Sequence, residues 1–192
     1  MGGSPKPVVE SAIMEATRGA LAAHGYTELS FTSVTDNCEY GRGVLDMYYE
    51  DTADLVAAFL EYESDRFAEF VMLAPERPDL RLRVMLEALV GLDTLEADGL
   101  LQPYLELYVH ALSNERIQEG LDALQTEMYD SLVATITKGI ETGLFTDVDP
   151  YRTASAIFAV HESALRQEAF GREAGELRDA LDHFVLSQLR PE

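Results

Sequence analysis

The side chains that could do covalent or metal chemistry are few in this chain, and they are spaced badly for it. Its four histidines, His24, His110, His161 and His183, are scattered. In the stretch HESAL, which begins at His161, Leu165 stands where the HExxH zinc pattern needs its second histidine. TDVDPY lacks the ligand ladder and glycine of a calcium loop. No Walker loop, nucleophile elbow or dinucleotide fingerprint occurs. Glu61, Glu63 and Asp65 read as a solvated face rather than an acid/base pair. Cys38 is the only cysteine, so no intrachain disulfide is possible. With nothing basic beside it, it reads as a small buried hydrophobe. An enzyme is therefore not expected, and neither a cofactor nor a metal site is.

Recognition chemistry remains, concentrated in SVTDNCEYGRGVLDMYY, residues 33–49. Arg42 is the best candidate for a base edge or a phosphate, with Tyr40, Met47 and Tyr48 beside it. Tyr49 reads as core, because aromatics ending a short helix more often pack than meet bases; Tyr48 fits either role. Such residues must be held by helices, and apolar side chains recur at three and four along almost the whole chain, which predicts an all-α fold. Val9, Ile13, Ala16, Ala20 and Leu21 mark a first helix that His24-Gly25 closes. Ser30 is an N-cap for a second helix running to about Glu39. Gly41 and Gly43 bracket a turn into a third helix ending near Tyr49. Thr52 caps a fourth, which stops before Pro75 and Pro78.

The next helices carry Leu82, Leu86 and Leu89, then Leu101 to Leu112 with Pro103 in the first turn. A long one runs from Ile117 to Ile140 and ends at Gly143. Asp149 and Pro150 open a helix to Phe170 as N-cap and N1, and the last is expected over Glu173 to Arg190. The organisation expected is a helix-turn-helix head over 1–51, a connecting helix over 52–74 and a helical body over 75–192.

The N-terminal 55 residues resemble the TetR family of transcriptional regulators. ALAAHGYTELSFTSV matches the approach to that family's pattern, with Gly25, Tyr26, Ser30 and Val34 at the family's spacing. In CEYGRGVLDMYYEDTADL, Arg42, Gly43, Leu45, Tyr49 and Leu55 fall where the family favours a basic residue, Gly, Leu, Phe and Leu. The rest of the chain resembles the family in its length and its run of helices. The resemblance implies a three-helix DNA-binding head, with the third helix reading an operator in double-stranded DNA. It also implies a C-terminal body that binds a small effector and dimerises. The DNA-contacting set is then Ser30, Ser33, Tyr40, Arg42, Gly43, Met47 and Tyr48.

Four positions depart from the family pattern. Thr35 replaces a favoured Ala, and Glu39 replaces the small turn residue. Asp46 stands where a Tyr usually touches the DNA backbone, and Thr52 where a Lys often meets phosphate. A carboxylate about 4 Å from a phosphate costs roughly 1 kcal/mol in water and about 4 kcal/mol at an effective dielectric near 20. Affinity from counterion release would be poor. Concentrated salt would make that loss matter little; alternatively, the head has kept the fold and lost the DNA.

In the body, Met85, Leu89, Tyr104, Tyr108, Tyr129, Phe158 and His161 lie on the apolar sides of helices, and several carry a polar tip. They are the candidate lining of an effector pocket, with a satisfied core as the plain alternative. The effector would be apolar or aromatic. Ala154, Ile157, His161, Leu165, Leu181, Phe184 and Leu189, on the last two helices, are the candidate homodimer surface.

Bulk composition frames these readings. Over 192 residues, 35 acidic side chains face 14 basic ones, a formal net charge of -21, and only Lys6 and Lys138 are lysines. Such acidity suggests a protein kept soluble in concentrated salt, although an ordinary acidic cytoplasmic protein has the same signature. MGGSPKP lacks an apolar signal core. No run approaches the eighteen or so apolar residues of a membrane span. A soluble cytoplasmic protein is expected. Its function is read as a ligand-responsive TetR-type regulator, a repressor rather than an activator. The alternative is a dimeric ligand- or protein-binding regulator whose head no longer binds DNA.

Overall fold

The computed structural model describes residues 7–90, 98–172 and 175–189. Among them every regular element is a helix, so the all-α expectation holds. α1 spans Pro7–His24, α2 Phe31–Thr35, α3 Arg42–Tyr48, α4 Thr52–Leu73 and α5 Pro78–Val90. α6 spans Leu101–Ala111, α7 Glu115–Glu141, α8 Pro150–Ala169 and α9 Gly175–Leu189. Glu173 and Arg190, the expected limits of the last helix, lie outside the described residues.

Local chemistry accounts for most of these boundaries. Gly25 takes a φ of 70° and its N–H bonds the Leu21 carbonyl at 2.8 Å, closing α1 in the left-handed conformation that costs glycine least. Asp149 caps α8, one Oδ1 accepting from the Tyr151 and Arg152 amides at 3.0 and 3.2 Å, with Pro150 next. Three expectations need correction. Thr52 is the first residue of α4 and not its cap, since Asp51 Oδ1 accepts the Asp54 amide at 2.8 Å. α2 ends at Thr35 rather than near Glu39, because the Asn37 and Cys38 amides fall back on the Val34 and Thr35 carbonyls at 3.3 Å, the tighter i to i+3 pattern that closes a helix. Gly43 lies inside α3 and not in the turn, since Gly41 is already the N-cap.

The described helices pack into two compact units, Met1–Ser64 with Leu95–Leu124, and Asp65–Thr94 with Gln125–Glu192. The head expected over 1–51 falls wholly in the first. Its core takes Ile13, Met14 and Leu21 from α1, Val34 from α2 and Leu45 from α3, all essentially without exposure. Each such burial is worth about 1.5–3 kcal/mol against solvent exposure. Arg18 of α1 ties this unit together electrostatically. It bonds Glu63 of α4, lies 3.7 Å from Glu15 and 3.6 Å from Asp98, and holds its guanidinium 5.8 Å from the centre of the Phe59 ring. α7 can approach α4 closely because Gly120 presents no side chain: a methyl there would stand 3.0 Å from Leu60 Cδ1.

In the second unit α5 packs on α8, and α8 on α9. The turn after α7 folds Phe145 directly over Gly139, where any methyl would overlap the ring. The Thr146 amide then bonds the Leu189 carbonyl at 3.1 Å, tying that turn to the end of α9.

Candidate nucleic-acid interface

α3 is seven residues long, and its two sides differ sharply. Leu45 is fully buried and Tyr49, at the C-cap, is 6% exposed, so this side belongs to the core. Arg42, Gly43, Asp46 and Met47 are all exposed, Met47 to 67%. The spacing i, i+1, i+4, i+5 makes one outward stripe. Tyr40 and Tyr48 are half-buried at its edges. The Tyr49 hydroxyl finds no hydrogen-bond partner among the described residues, and burial, then Glu10 and Asp54, push its pKa upward. It is a buried phenol that keeps its proton.

Ser30 and Ser33 come together as a reciprocal cap. Ser30 Oγ accepts from the Ser33 amide at 3.1 Å, and Ser33 Oγ accepts from the Ser30 amide at 3.0 Å. Both hydroxyls are thus spent on starting α2. Arg42 Nε lies 3.6 Å from Asp46 one helical turn later, so the strongest cation of the stripe is half-neutralised by its own helix.

Two residues from outside the head shape this surface. Arg116, at the start of α7, reaches Glu50 at 2.7 Å, Asp51 at 3.7 Å and Asp54 at 3.9 Å. The acidic run after α3 is therefore interrupted by a cation 66 residues downstream. Glu106 of α6 accepts the Tyr26 amide at 2.8 Å, and the His110 ring lies 4.6 Å from that of Tyr26. α6 thus grips the turn that leads into α2. No local sequence signal pairs either residue with the head, because each contact is made by folding alone.

No protein-family model and no curated protein sequence matches the chain. Solved structures do. A TetR transcription regulator from Haloarcula marismortui superposes with a TM-score of 0.83 at 26% identity, covering 96% of this chain and 100% of that one. The chain has the TetR fold. A TetR-family regulator from Rhodococcus sp. superposes with a TM-score of 0.76 at 22% identity over 94% of this chain and 97% of that one. A transcriptional regulator from Saccharomonospora viridis, solved with choline, gives 0.76 at 16% identity over 97% and 100%. All three are described as transcriptional regulators. Among the described residues no helix is long and apolar enough to cross a membrane.

Within this TetR fold the candidate effector residues divide. Tyr104 and Tyr108 lie on α6 in the first unit, on either side of Glu106 in sequence, and both are half-buried. The other five lie in the second unit, where three form an aromatic chain. Tyr129 and Phe158 have ring centroids 6.0 Å apart, and Phe158 and His161 5.8 Å apart, both edge-on. The Tyr129 hydroxyl donates to the Tyr151 carbonyl at 2.9 Å. His161, 8% exposed, bonds the Leu89 carbonyl through Nδ1. A carbonyl only accepts, so Nδ1 carries the proton. Burial pushes the imidazole below the ordinary histidine pKa, against the Leu89 carbonyl, which pulls it upward. Met85, fully buried, accepts from Thr135 Oγ1 at 3.5 Å.

The candidate dimer residues are covered within their own chain. Ala154 and Ile157 have no exposure, and Leu165, Leu181 and Leu189 have 5% or less. The Phe184 side chain lies outside the described residues. On α8 the outward side chains include Ser155, Ala159, Glu162 and Arg166, small or charged groups that the apolar periodicity did not single out.

Proposed function

We propose that this protein is a TetR-type, DNA-binding transcriptional regulator, a repressor that works as a homodimer and releases its operator when an apolar or aromatic effector binds. The observation that carries it is the division of α3. Leu45 and Tyr49 anchor one side, while Arg42, Gly43 and Met47 are left outward on the other, as a groove-reading helix requires. Arg42 would meet a base edge or phosphate, Met47 would make apolar base contacts, and Tyr40 and Tyr48 would flank them. The Ser30 and Ser33 pair would set the angle of α2 through its cap. An effector touching Tyr104 or Tyr108 would act on the helix that carries Glu106, and so on the turn before α2. Release would follow from its higher affinity for the arrangement in which the two heads no longer match successive grooves.

Dimerisation through α8 and α9 would use their outward side chains, since Ala154, Ile157, Leu165, Leu181 and Leu189 are already buried within the chain. Choline, found in one structural neighbour, is a useful effector probe because the Tyr129 and Phe158 faces can attract a quaternary ammonium.

DNA selection by the purified protein in multimolar KCl, repeated on Arg42→Ala, tests this reading. An enriched palindrome that Arg42→Ala loses is expected. Its affinity should depend only shallowly on salt, because few phosphates are neutralised. The second reading, a regulator whose head has lost DNA, is favoured by the exposed carboxylates of Glu39, Asp46, Glu50 and Asp51. No enrichment at any salt would establish it over the first.

A further inference from the structure

α5, the turn after α7 and the end of α9 line a cavity of about 170 Å³ in the second unit that shares no residue with the aromatic chain. Its floor is Leu82, Leu86, Phe145 and Leu189, all buried, and Asp79, Leu80 and Arg83 stand at its rim. An apolar cavity of about 150 Å³ is large enough for benzene, so this one takes an aromatic ring or a short branched chain.

The charge at the rim is what sets the ligand. Among the described cations, Arg18, Arg42, Arg77, Arg116, Lys138 and Arg152 are all claimed by carboxylates. Arg83 has no such partner among the described residues; Arg81, Arg166 and Arg172 also lack one, but of these Arg83 alone lines this cavity. Asp79 stands four residues before it on α5, the spacing at which an ion pair would form. Arg77 takes that carboxylate instead, with Nε at 3.1 Å from Oδ1 and Nη2 at 2.7 Å from Oδ2. The two-point fork removes the natural competitor and leaves a planar guanidinium at the rim of an apolar cavity. Carboxylate oxygens match such a fork in spacing as well as in charge.

We infer that this cavity binds a small aromatic or branched-chain monocarboxylate, its apolar body on Leu82, Leu86 and Phe145 and its carboxylate on Arg83. The occupant is an anion despite the net charge of -21, since a contact pair with a guanidinium at an apolar wall is screened far less than the field of the distant surface charges. A ligand there would pin α5 to the turn after α7 and to the end of α9, and would raise the melting temperature by mass action. Neither DNA binding nor an effector on the aromatic chain is required.

Benzoate, benzyl alcohol and benzylammonium share one body and differ in charge, so their titration against methyl-labelled protein in KCl that keeps it folded isolates the arginine. Benzoate should bind about tenfold more tightly than benzyl alcohol, with benzylammonium weakest and shifts centred on Leu82, Leu86 and Leu189. Arg83→Gln, a change at an exposed side chain, should erase the gap between benzoate and the alcohol. Arg77→Ala should free Asp79 to take Arg83 and weaken benzoate severalfold without touching the cavity. Equal affinity for benzoate and benzyl alcohol, a preference that survives Arg83→Gln, or shifts centred on the methyls of Met85 and Leu89, the latter bonded by His161, would each overturn the assignment.

Discussion

Glu106 lies 80 residues from the amide it accepts, and it holds the turn on which the head's geometry rests. Glu106→Ala should cost about 1–2 kcal/mol, the usual loss when a half-buried amide is left without its charged acceptor. Gly25→Ala should cost at least as much. It forces a φ of 70° on a residue with a Cβ, and that Cβ would stand 2.8 Å from Glu106 Oε2. Urea denaturation of both variants checks this, and equal midpoints for variant and parent would refute it. Of the pair, Gly25 was legible because a left-handed cap is a local requirement; Glu106 was not, because nothing near it in sequence points to Tyr26. At His161 the sign of the pH dependence follows from its lowered pKa. Both folded and unfolded forms are neutral well above pH 6.5. As pH falls below that value the unfolded chain takes a proton that the folded one resists, so stability drops until the folded pKa is reached. His161→Gln, which keeps a donor for the Leu89 carbonyl, should flatten that stretch of the stability curve.

Helices α2 and α3 show how far periodicity and caps reach. The Ser30 cap, the outward placement of Arg42 and Met47 and the buried placement of Tyr49 are all consequences of short-range spacing, and each was readable. The end of α2 was not, since Thr35 to Glu39 carries no glycine or proline to mark a stop and the stop comes from a switch in hydrogen bonding. Arg116 belongs to the same surface through α7. Arg116→Ala should leave folding nearly intact and weaken operator binding by uncovering Glu50, Asp51 and Asp54, which filter binding and a parallel melt would separate. Gly139 makes the packing of the turn after α7 testable. Gly139→Ala should destabilise by about 1–3 kcal/mol, because the added methyl expels the Phe145 ring and forces neighbours off their rotamers. A melting temperature equal to the parent's would refute that seat.

For the molecule as a whole, charge is the dominant property: 35 carboxylates repel one another across one small protein. Thermal stability should therefore rise with KCl into the molar range, where the Debye length falls to about 3 Å. A chain equally stable at low and multimolar KCl would refute adaptation to concentrated salt. Composition, apolar spacing and a handful of caps were enough by themselves to determine an all-α chain, a helix-turn-helix head and most helix limits, because each is written within one or two turns of backbone. Only the tertiary structure decided which partner each exposed or apolar face would meet. Ala154, Ile157, Leu165, Leu181 and Leu189, which spacing alone offered as a dimer surface, are buried within the chain. Arg116 found the acidic run after α3, and Arg77 stripped Arg83 of its neighbour. Periodicity states that a face must be covered or a charge answered; which group answers depends on distances that exist only once the chain has folded.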